Sequence, residues 1–255
     1  MKKRAEYFLD RIIPDVRETI NSGYYNVAAR EPLYSLKEVV EKGALIAEVK
    51  PRSPSKGVLI SEDAVHVARE LASAGADALS ILTEPKHFKG RIDLLREDYG
   101  VPLLMKDFII DERQISGGDA ILLILSLLDL VGKTPNALIE CAHEKGIEVL
   151  LETHTQEEFR RAMETDADLI GINNRDLRTL RVDINTTIKI LEKEKPDRPV
   201  VSESGIETAE DVERVLRAGA SAVLVGTSIL TSKNMKERLG ELKSRVVEWR
   251  SGRKP

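Results

Sequence analysis

Cysteine and long apolar runs are both scarce in this 255-residue sequence, and each shortage excludes a structural feature. The single cysteine, Cys141, excludes an internal disulfide, and its place in a helical pattern indicates a packing residue. No apolar run reaches the roughly 18 residues of a membrane-spanning helix. Charged residues interrupt the N-terminal segment too often for a signal peptide, so we expect a cytoplasmic protein without membrane contact.

Basic residues do not outnumber acidic ones, with 39 Lys and Arg against 43 Asp and Glu. The formal net charge is -4 and the sequence pI is about 5.8. A broad nucleic-acid surface needs a basic excess or a clustered Lys/Arg face, so nucleic acid is not an expected partner. A local group of Lys and Arg in a cleft can still bind a small anion against the global charge. The sequence leaves the oligomeric state open, with a monomer among the options.

Histidine is rare too, and its spacing does not form a metal motif. The four histidines are His66, His87, His143 and His154. Two lie in helical patterns and two in separate loops, so we expect each to be a surface or capping residue. No metal site is predicted.

Eight short apolar runs recur along the chain with helical patterns between several of them. The runs are ALIAEV (44–49), ALSILT (78–83), PLLMK (102–106), AILLIL (120–125), EVLLE (148–152), DLIGIN (168–173), PVVSE (199–203) and AVLVG (222–226). Most are continuous rather than alternating, which is typical of strands covered by helices. This α/β pattern predicts a closed (β/α)8 TIM barrel, and an open doubly wound sheet is the second option.

The same pattern predicts the domain organisation. Residues 1–255 form one domain, with a helical N-terminal extension over 1–43 and the barrel over 44–255. Only residues 111–119 separate the third and fourth predicted strands. A parallel crossover normally needs about 10 to 12 residues or more including its helix, so the third helix is predicted to be shortened or missing.

Polar side chains end most of the predicted strands, on the face where barrels carry their active sites. These residues are Glu48, Lys50, Lys106, Glu152, Asn173, Arg175, Glu203 and Ser204. Glu48 and Lys50 are two apart on one strand and therefore point to the same face. Salt bridges that plug the barrel mouth are one explanation. We favour the other, that carboxylates and ammonium groups in one cleft shift each other's pKa values and supply a general acid and a general base.

Two glycine-containing segments indicate a phosphate site. SESGI (202–206) and VGTSIL (225–230) follow the seventh and eighth strands, each just before a helical pattern. Backbone N–H groups at a helix start attract anions, and glycine allows close approach. Barrels often bind phosphate at these two strands. The alternative is an ordinary pair of capped turns.

The motifs together resemble one enzyme family. EVKPRSPSKG, SILTEPKHFKG, LLMKDFIID, LLETHT, GINNRDL, VSESGI and LVGTSIL have the order and spacing of indole-3-glycerol phosphate synthase, over about residues 35–232. The resemblance implies an enzyme of tryptophan biosynthesis, a carboxy-lyase. It closes the indole ring of 1-(2-carboxyphenylamino)-1-deoxyribulose 5-phosphate with release of carbon dioxide and water, and uses no cofactor.

The resemblance also implies a role for each residue of the site. Catalytic roles fall on Lys106, Lys50, Glu152, Glu48, Asn173 and Glu203. Substrate contacts fall on Phe88, Phe108, Arg175 and Ser204, and phosphate contacts on Ser53, Ser204, Gly205, Gly226 and Thr227. Lys106 is implied as the general acid in ring closure and Lys50 as the acid in dehydration. Packing is the alternative for the two phenylalanines, and a structural salt bridge is the alternative for Arg175.

The sequence departs from the family at two places. The segment after DFIIDERQIS is several residues shorter, and Pro51 stands where the family commonly has a basic residue. Three other functions remain to be separated. A class I aldolase would use Lys106 as a Schiff base, a sister isomerase would need a Cys or Asp pair, and a non-catalytic scaffold would have lost its rim residues.

Overall fold

Eight parallel strands close into a barrel in the computed structural model, which describes residues 8–27, 30–54 and 56–252. The strands are β1 (Ala44–Val49), β2 (Ala78–Leu82), β3 (Leu103–Lys106), β4 (Ala120–Ile124), β5 (Glu148–Thr153), β6 (Leu169–Asn173), β7 (Val200–Glu203) and β8 (Ala222–Val225). Each pairs with its sequence neighbours, and β1 pairs with β8 to close the ring. The predicted barrel is confirmed, and the open sheet is excluded.

The strands form because their residues are apolar on both faces and nearly all buried. The register aligns the polar residues at the carboxyl ends. Leu82 pairs with Lys106, and Asn173 pairs with Glu203. Because parallel strands end at one edge, the side chains predicted from the sequence meet at one mouth of the barrel.

Helices surround the barrel and precede it. They are α1 (Phe8–Asn21), α2 (Leu36–Glu41), α3 (Ala64–Ser73), α4 (Leu125–Leu130), α5 (Asn136–Glu144), α6 (Gln156–Met163), α7 (Asn185–Leu191), α8 (Ala209–Ala218), α9 (Thr227–Leu230) and α10 (Met235–Arg250). α8 starts with a capping box between Thr208 and Asp211 and ends at Gly219, whose φ of 117° suits glycine. Within the described ranges, no helix is long and apolar enough to cross a lipid bilayer.

Two of the barrel's crossovers lack an α-helix. The β3–β4 connection contains only a 3-10 turn at Glu112–Gln114, which confirms the predicted loss of the third helix. The β2–β3 connection also carries only a 3-10 helix, Ile92–Arg96, and this was not predicted. The extension stabilises it, since the Tyr24 hydroxyl accepts a hydrogen bond from Ile92 N at 3.2 Å. The same hydroxyl donates to Thr83 O at 2.9 Å.

The extension is also fastened at the opposite end of the barrel. Asp119, fully buried before β4, accepts hydrogen bonds from the backbone N of Leu33, Tyr34 and Leu103 at 2.7 to 3.0 Å. Arg30 forms a two-point ion pair with the same carboxylate, with N–O distances of 3.0 and 2.7 Å. One buried carboxylate therefore joins the segment before α2 to the strands.

Candidate active site

A cavity of about 110 Å³ opens at the carboxyl ends of the strands. Ten residues predicted from the sequence line it: Glu48, Lys50, Ser53, Phe88, Lys106, Phe108, Glu152, Asn173, Arg175 and Ser204. Glu203 lies directly behind Lys106. The side chains come from six strands and their loops, so the barrel brings together groups that are distant in the sequence.

Lys106, at the end of β3, is the central cation of the cavity. Its Nζ lies 2.8 Å from Glu203 Oε2 and 3.5 Å from Glu48 Oε1. Burial alone would lower the pKa of Lys106, but Glu203, Glu48 and Glu152 outweigh burial and raise it well above its ordinary value. Lys106 therefore stays protonated at neutral pH and can act as a proton donor.

Glu48 and Lys50 form the second charged pair. Lys50 Nζ contacts Glu48 Oε2 directly, so both side chains face the cavity as their spacing predicted. Burial would raise the pKa of Glu48, but Lys50 and Lys106 outweigh that effect and hold it below its ordinary value. Glu48 is therefore an ionised carboxylate between two ammonium groups.

Glu203, the last residue of β7, has a different environment. Its side chain is fully buried, and burial is the main reason that its pKa rises to about 7, against the attraction of Lys106. The neighbouring carboxylate of Glu152 raises it further. Glu203 can thus exchange a proton near neutral pH.

Glu152 on β5 is buried as deeply, but it remains ionised. Burial raises its pKa, and the contact with His154 is the largest of the effects that lower it below the ordinary value. Lys106 and a hydrogen bond from Asn173 act in the same direction. Two carboxylates beside one lysine therefore differ in protonation, which is a common basis for separate acid and base roles.

His154 corrects one expectation. The sequence predicted a surface or capping residue, but the imidazole is only 10% exposed and lies 3.2 Å from Glu152 Oε1. Its loop position after β5 concealed this, because α6 folds back and places Glu158 on the other side of the ring. His66, His143 and His87 lie in α3, α5 and the β2–β3 loop, and like His154 they are not part of the cavity lining.

Two glycines make room for the buried carboxylates. A Cβ at Gly226 would lie 2.4 Å from Glu48 Oε2, and a Cβ at Gly171 would lie 2.3 Å from Glu203 Oε1. Real Cβ atoms do not approach other atoms so closely. Gly226 was predicted as a phosphate contact, and its close packing on Glu48 is a second reason for glycine at this position.

The predicted phosphate residues lie around one side of the mouth. Ser53 and Ser204 line the cavity, whereas Gly205, Gly226 and Thr227 lie outside its lining. Ser204 and Gly205 both have positive φ angles, 64° and 78°, which turn the backbone sharply after β7. Thr227 begins the short helix α9 after Gly226.

An aromatic cluster covers the other side. The rings of Phe88 and Phe108 are 6.0 Å apart between centroids, and Phe8 of α1 packs edge-on to Phe108 at 6.2 Å. Phe8 also lines the cavity and was not identified from the sequence. Glu84 fixes the Phe88 loop by accepting hydrogen bonds from the backbone N of His87 and Phe88, at 2.7 and 2.9 Å.

Arg175 lines the cavity after β6. Its guanidinium donates to Leu180 O at 3.1 Å, and its backbone N donates to Asn173 Oδ1 at 2.9 Å. The ion pairs found in the described residues do not include Arg175, so the salt bridge that was the alternative to a substrate contact is not observed there. No group of three or more His, Cys, Asp or Glu side chains in the described ranges is arranged to hold a metal ion.

Comparison with known proteins agrees with the motifs. The family model "Indole-3-glycerol phosphate synthase" matches residues 10–242. The chain is 38% identical over 250 residues to the protein of that name from Methanocaldococcus jannaschii, covering 94% of this chain and 90% of that protein. It is 43% identical over 212 residues to the one from Methanopyrus kandleri, covering 78% of this chain and 82% of that protein.

Solved structures that resemble the chain include more distant barrels. Thiamine phosphate pyrophosphorylase from Pyrococcus furiosus matches with a TM-score of 0.59 and 20% identity, covering 82% of this chain and 98% of that one. Orotidine 5'-phosphate decarboxylase from Pyrococcus horikoshii matches with a TM-score of 0.58 and 11% identity, covering 80% and 99%. At these identities the likeness concerns the fold alone.

Proposed function

The chain belongs to the indole-3-glycerol phosphate synthase family, and from that premise we propose that its cavity closes the indole ring of 1-(2-carboxyphenylamino)-1-deoxyribulose 5-phosphate. Carbon dioxide and water leave in the reaction, which is redox-neutral and calls for no redox cofactor. The observation that carries the proposal is the burial of the Lys106 ammonium among Glu48, Glu152 and Glu203, with the Lys50 ammonium beside them.

Lys106 is the general acid of ring closure. The ring carbon that bears the carboxylate attacks the ketone carbon of the sugar, and the carbonyl oxygen takes a proton from Nζ as its charge develops. Loss of carbon dioxide then restores the aromatic ring. Glu203, 2.8 Å from Nζ and with a pKa of about 7, is placed to return a proton to Lys106.

Dehydration needs a second acid and a base. Lys50 protonates the departing hydroxyl, while the nitrogen lone pair forms an iminium. Glu152, ionised and buried, takes the proton from the adjacent carbon and so completes the pyrrole ring. Glu48 stabilises the cationic intermediate, and Asn173 holds a substrate hydroxyl or orients the carboxylate of Glu152.

Binding is divided between the two sides of the mouth. The aromatic rings of Phe88 and Phe108 flank the anthranilate ring, and Arg175 supports its carboxylate. The phosphate rests on Ser53, Ser204 and Gly205 and on the start of α9 at Gly226 and Thr227. The protein thus acts in the cytoplasm on a small anionic substrate rather than on nucleic acid.

The protonation of Lys106 argues against the aldolase alternative. A Schiff-base lysine needs a depressed pKa so that its amine is free to attack a ketone. The three carboxylates act in the opposite direction and keep Lys106 charged. A general acid, not a nucleophile, is the role that this environment favours.

The test is direct incubation of the purified protein with the carboxyphenylamino deoxyribulose phosphate. Indole fluorescence should rise in step with release of carbon dioxide. Borohydride added during turnover should leave the protein mass unchanged. A reduced substrate adduct on Lys106 would instead support the aldolase, and no indole fluorescence would refute the proposed synthase activity.

A further inference from the structure

Glu152 and Glu203 are both buried beside Lys106, yet only one of them has a partner on its far side. Neither Glu203 Oε1 nor Glu152 Oε1 has a well-aligned hydrogen bond, and Glu203 Oε1 faces the bare Cα of Gly171. Glu152 Oε1 instead lies 3.2 Å from Nε2 of the His154 imidazole. The two glutamate side chains therefore have different neighbours, a histidine beside Glu152 and a glycine beside Glu203.

His154 is held between two carboxylates. Its Nδ1 lies 3.3 Å from Glu158 Oε2, and its backbone N donates to the same oxygen at 2.7 Å. Glu158 is fixed by its place in the first turn of α6, where its own N–H donates to the N-cap Thr155. Each ring nitrogen thus faces an acidic oxygen, an arrangement that favours a doubly protonated ring.

Acidic groups from three elements act on the imidazole. β5 supplies Glu152, α6 supplies Glu158, and the loop after β6 supplies Asp176. The groove on the solvent side of the ring is lined by the charged residues Asp10, Arg178, Arg181 and Asp183 in addition to Asp176. Lys106 acts on Glu152 from the opposite side.

We infer that His154 is a positioning residue that stays an imidazolium behind Glu152, and that it makes Glu152, not Glu203, the ionised base of the reaction. The inference rests on the proposed function. In support, the two flanking carboxylates outweigh burial and raise the pKa of His154 to about 10, while the pKa of Glu152 is held low and that of Glu203 rises to about 7.

The decisive variant is His154→Gln, which keeps a polar side chain without the charge. Loss of the imidazolium should raise the pKa of Glu152, so the acidic limb of the kcat/KM profile should move to higher pH by about one unit. Activity on that limb should fall about tenfold, with KM changed less than about threefold. Glu158→Gln should shift the limb in the same direction and by less.

The matched control is His143→Gln. His143 Nε2 lies 2.8 Å from Asp168 Oδ2, but on α5 away from the cavity, and its loss should leave the pH profile unchanged. An unshifted acidic limb in His154→Gln would overturn the inference. A uniform loss of activity at every pH, together with a lowered Tm, would also overturn it, because it would indicate a structural role alone.

A readout without substrate separates this inference from the proposed function. The imidazole resonances of His154, assigned by their absence in His154→Gln, should keep the shifts of a protonated ring up to about pH 8. A protein that makes no indole yet shows this signal would refute only the function. A ring that loses its proton below about pH 8 would refute the inference even in an active enzyme.

Discussion

At the scale of single residues, the site depends on groups that are small as much as on groups that are charged. Gly171 and Gly226 let the carboxylates of Glu203 and Glu48 lie against the barrel backbone. In those positions the other oxygen of each carboxylate lies 2.8 Å (Glu203) or 3.5 Å (Glu48) from Lys106 Nζ. The glycines therefore set the geometry of the acid and base groups.

Gly171→Ala should reduce kcat/KM by about 10- to 100-fold. The new Cβ would overlap Glu203 Oε1 and displace the carboxylate from Lys106, at a stability cost of about 1–3 kcal/mol. Steady-state kinetics with Tm as a companion measurement tests this. Gly240→Ala is the control, because a Cβ there meets no atom within 4 Å. Wild-type kinetics in Gly171→Ala would show that the packing is not needed.

At the scale of elements, the strands were predictable and their connections were less so. A buried strand in this fold is a continuous apolar run with a polar end, and both features are local. The connection between β2 and β3 carries a 3-10 helix in place of an α-helix, and Tyr24 of the extension accepts a hydrogen bond from its first residue. His154 and Phe8 were missed for the same reason, since their surroundings come from α6 and from the entry of α1 into the mouth.

The charged residues at the mouth of the barrel were largely predictable. Lys50, Lys106 and Glu152 end strands, and the closed barrel forces strand ends together. Protonation was not predictable, because Glu152 and Glu203 have equivalent places in the sequence pattern. Their difference arises from His154, a contact made by the return of α6.

The join between the extension and the barrel depends on Asp119. Asp119→Ala should lower the free energy of unfolding by about 3–5 kcal/mol, since it leaves Arg30 and the backbone N–H groups of the join without their acceptor. Urea unfolding measures this. Asp129→Asn, which removes only the exposed pair with Arg161, should cost about 0–1 kcal/mol. Equal effects in the two variants would contradict the account.

At the scale of the whole molecule, a buried acid makes the stability of the fold depend on pH. Asp107 is buried next to Lys106 and accepts hydrogen bonds from Thr83 Oγ1, Tyr25 and Phe108 N. Burial outweighs these bonds and raises its pKa from 3.8 to about 6. A raised pKa means that its stabilising contribution is full below about pH 4 and is lost as the pH rises through about 6.

Asp107→Asn should therefore flatten the pH dependence of stability. The wild-type contribution of this group falls between about pH 4 and 6, and about one pH unit of that fall lies above pH 5. The difference in unfolding free energy between pH 5 and pH 7.5 should therefore change by about 1–1.5 kcal/mol in the variant. Urea unfolding at the two pH values measures the difference. Asp197→Asn is the control, since Arg198 holds the pKa of Asp197 below this window. An identical pH dependence in Asp107→Asn and the wild type would be inconsistent with a raised pKa.

The most direct test of the central claim is the rate of indole formation by Lys106→Met, compared with Lys86→Met. Lys86 also pairs with two carboxylates, Asp15 and Glu18 of α1, but its side chain is 34% exposed and does not line the cavity. The account predicts that Lys106→Met binds substrate within about tenfold of the wild type and forms indole about 10²- to 10⁴-fold more slowly, while Lys86→Met is unaffected. Lys106→Met that keeps more than about a tenth of the wild-type kcat would contradict the claim that this ammonium donates the proton of ring closure.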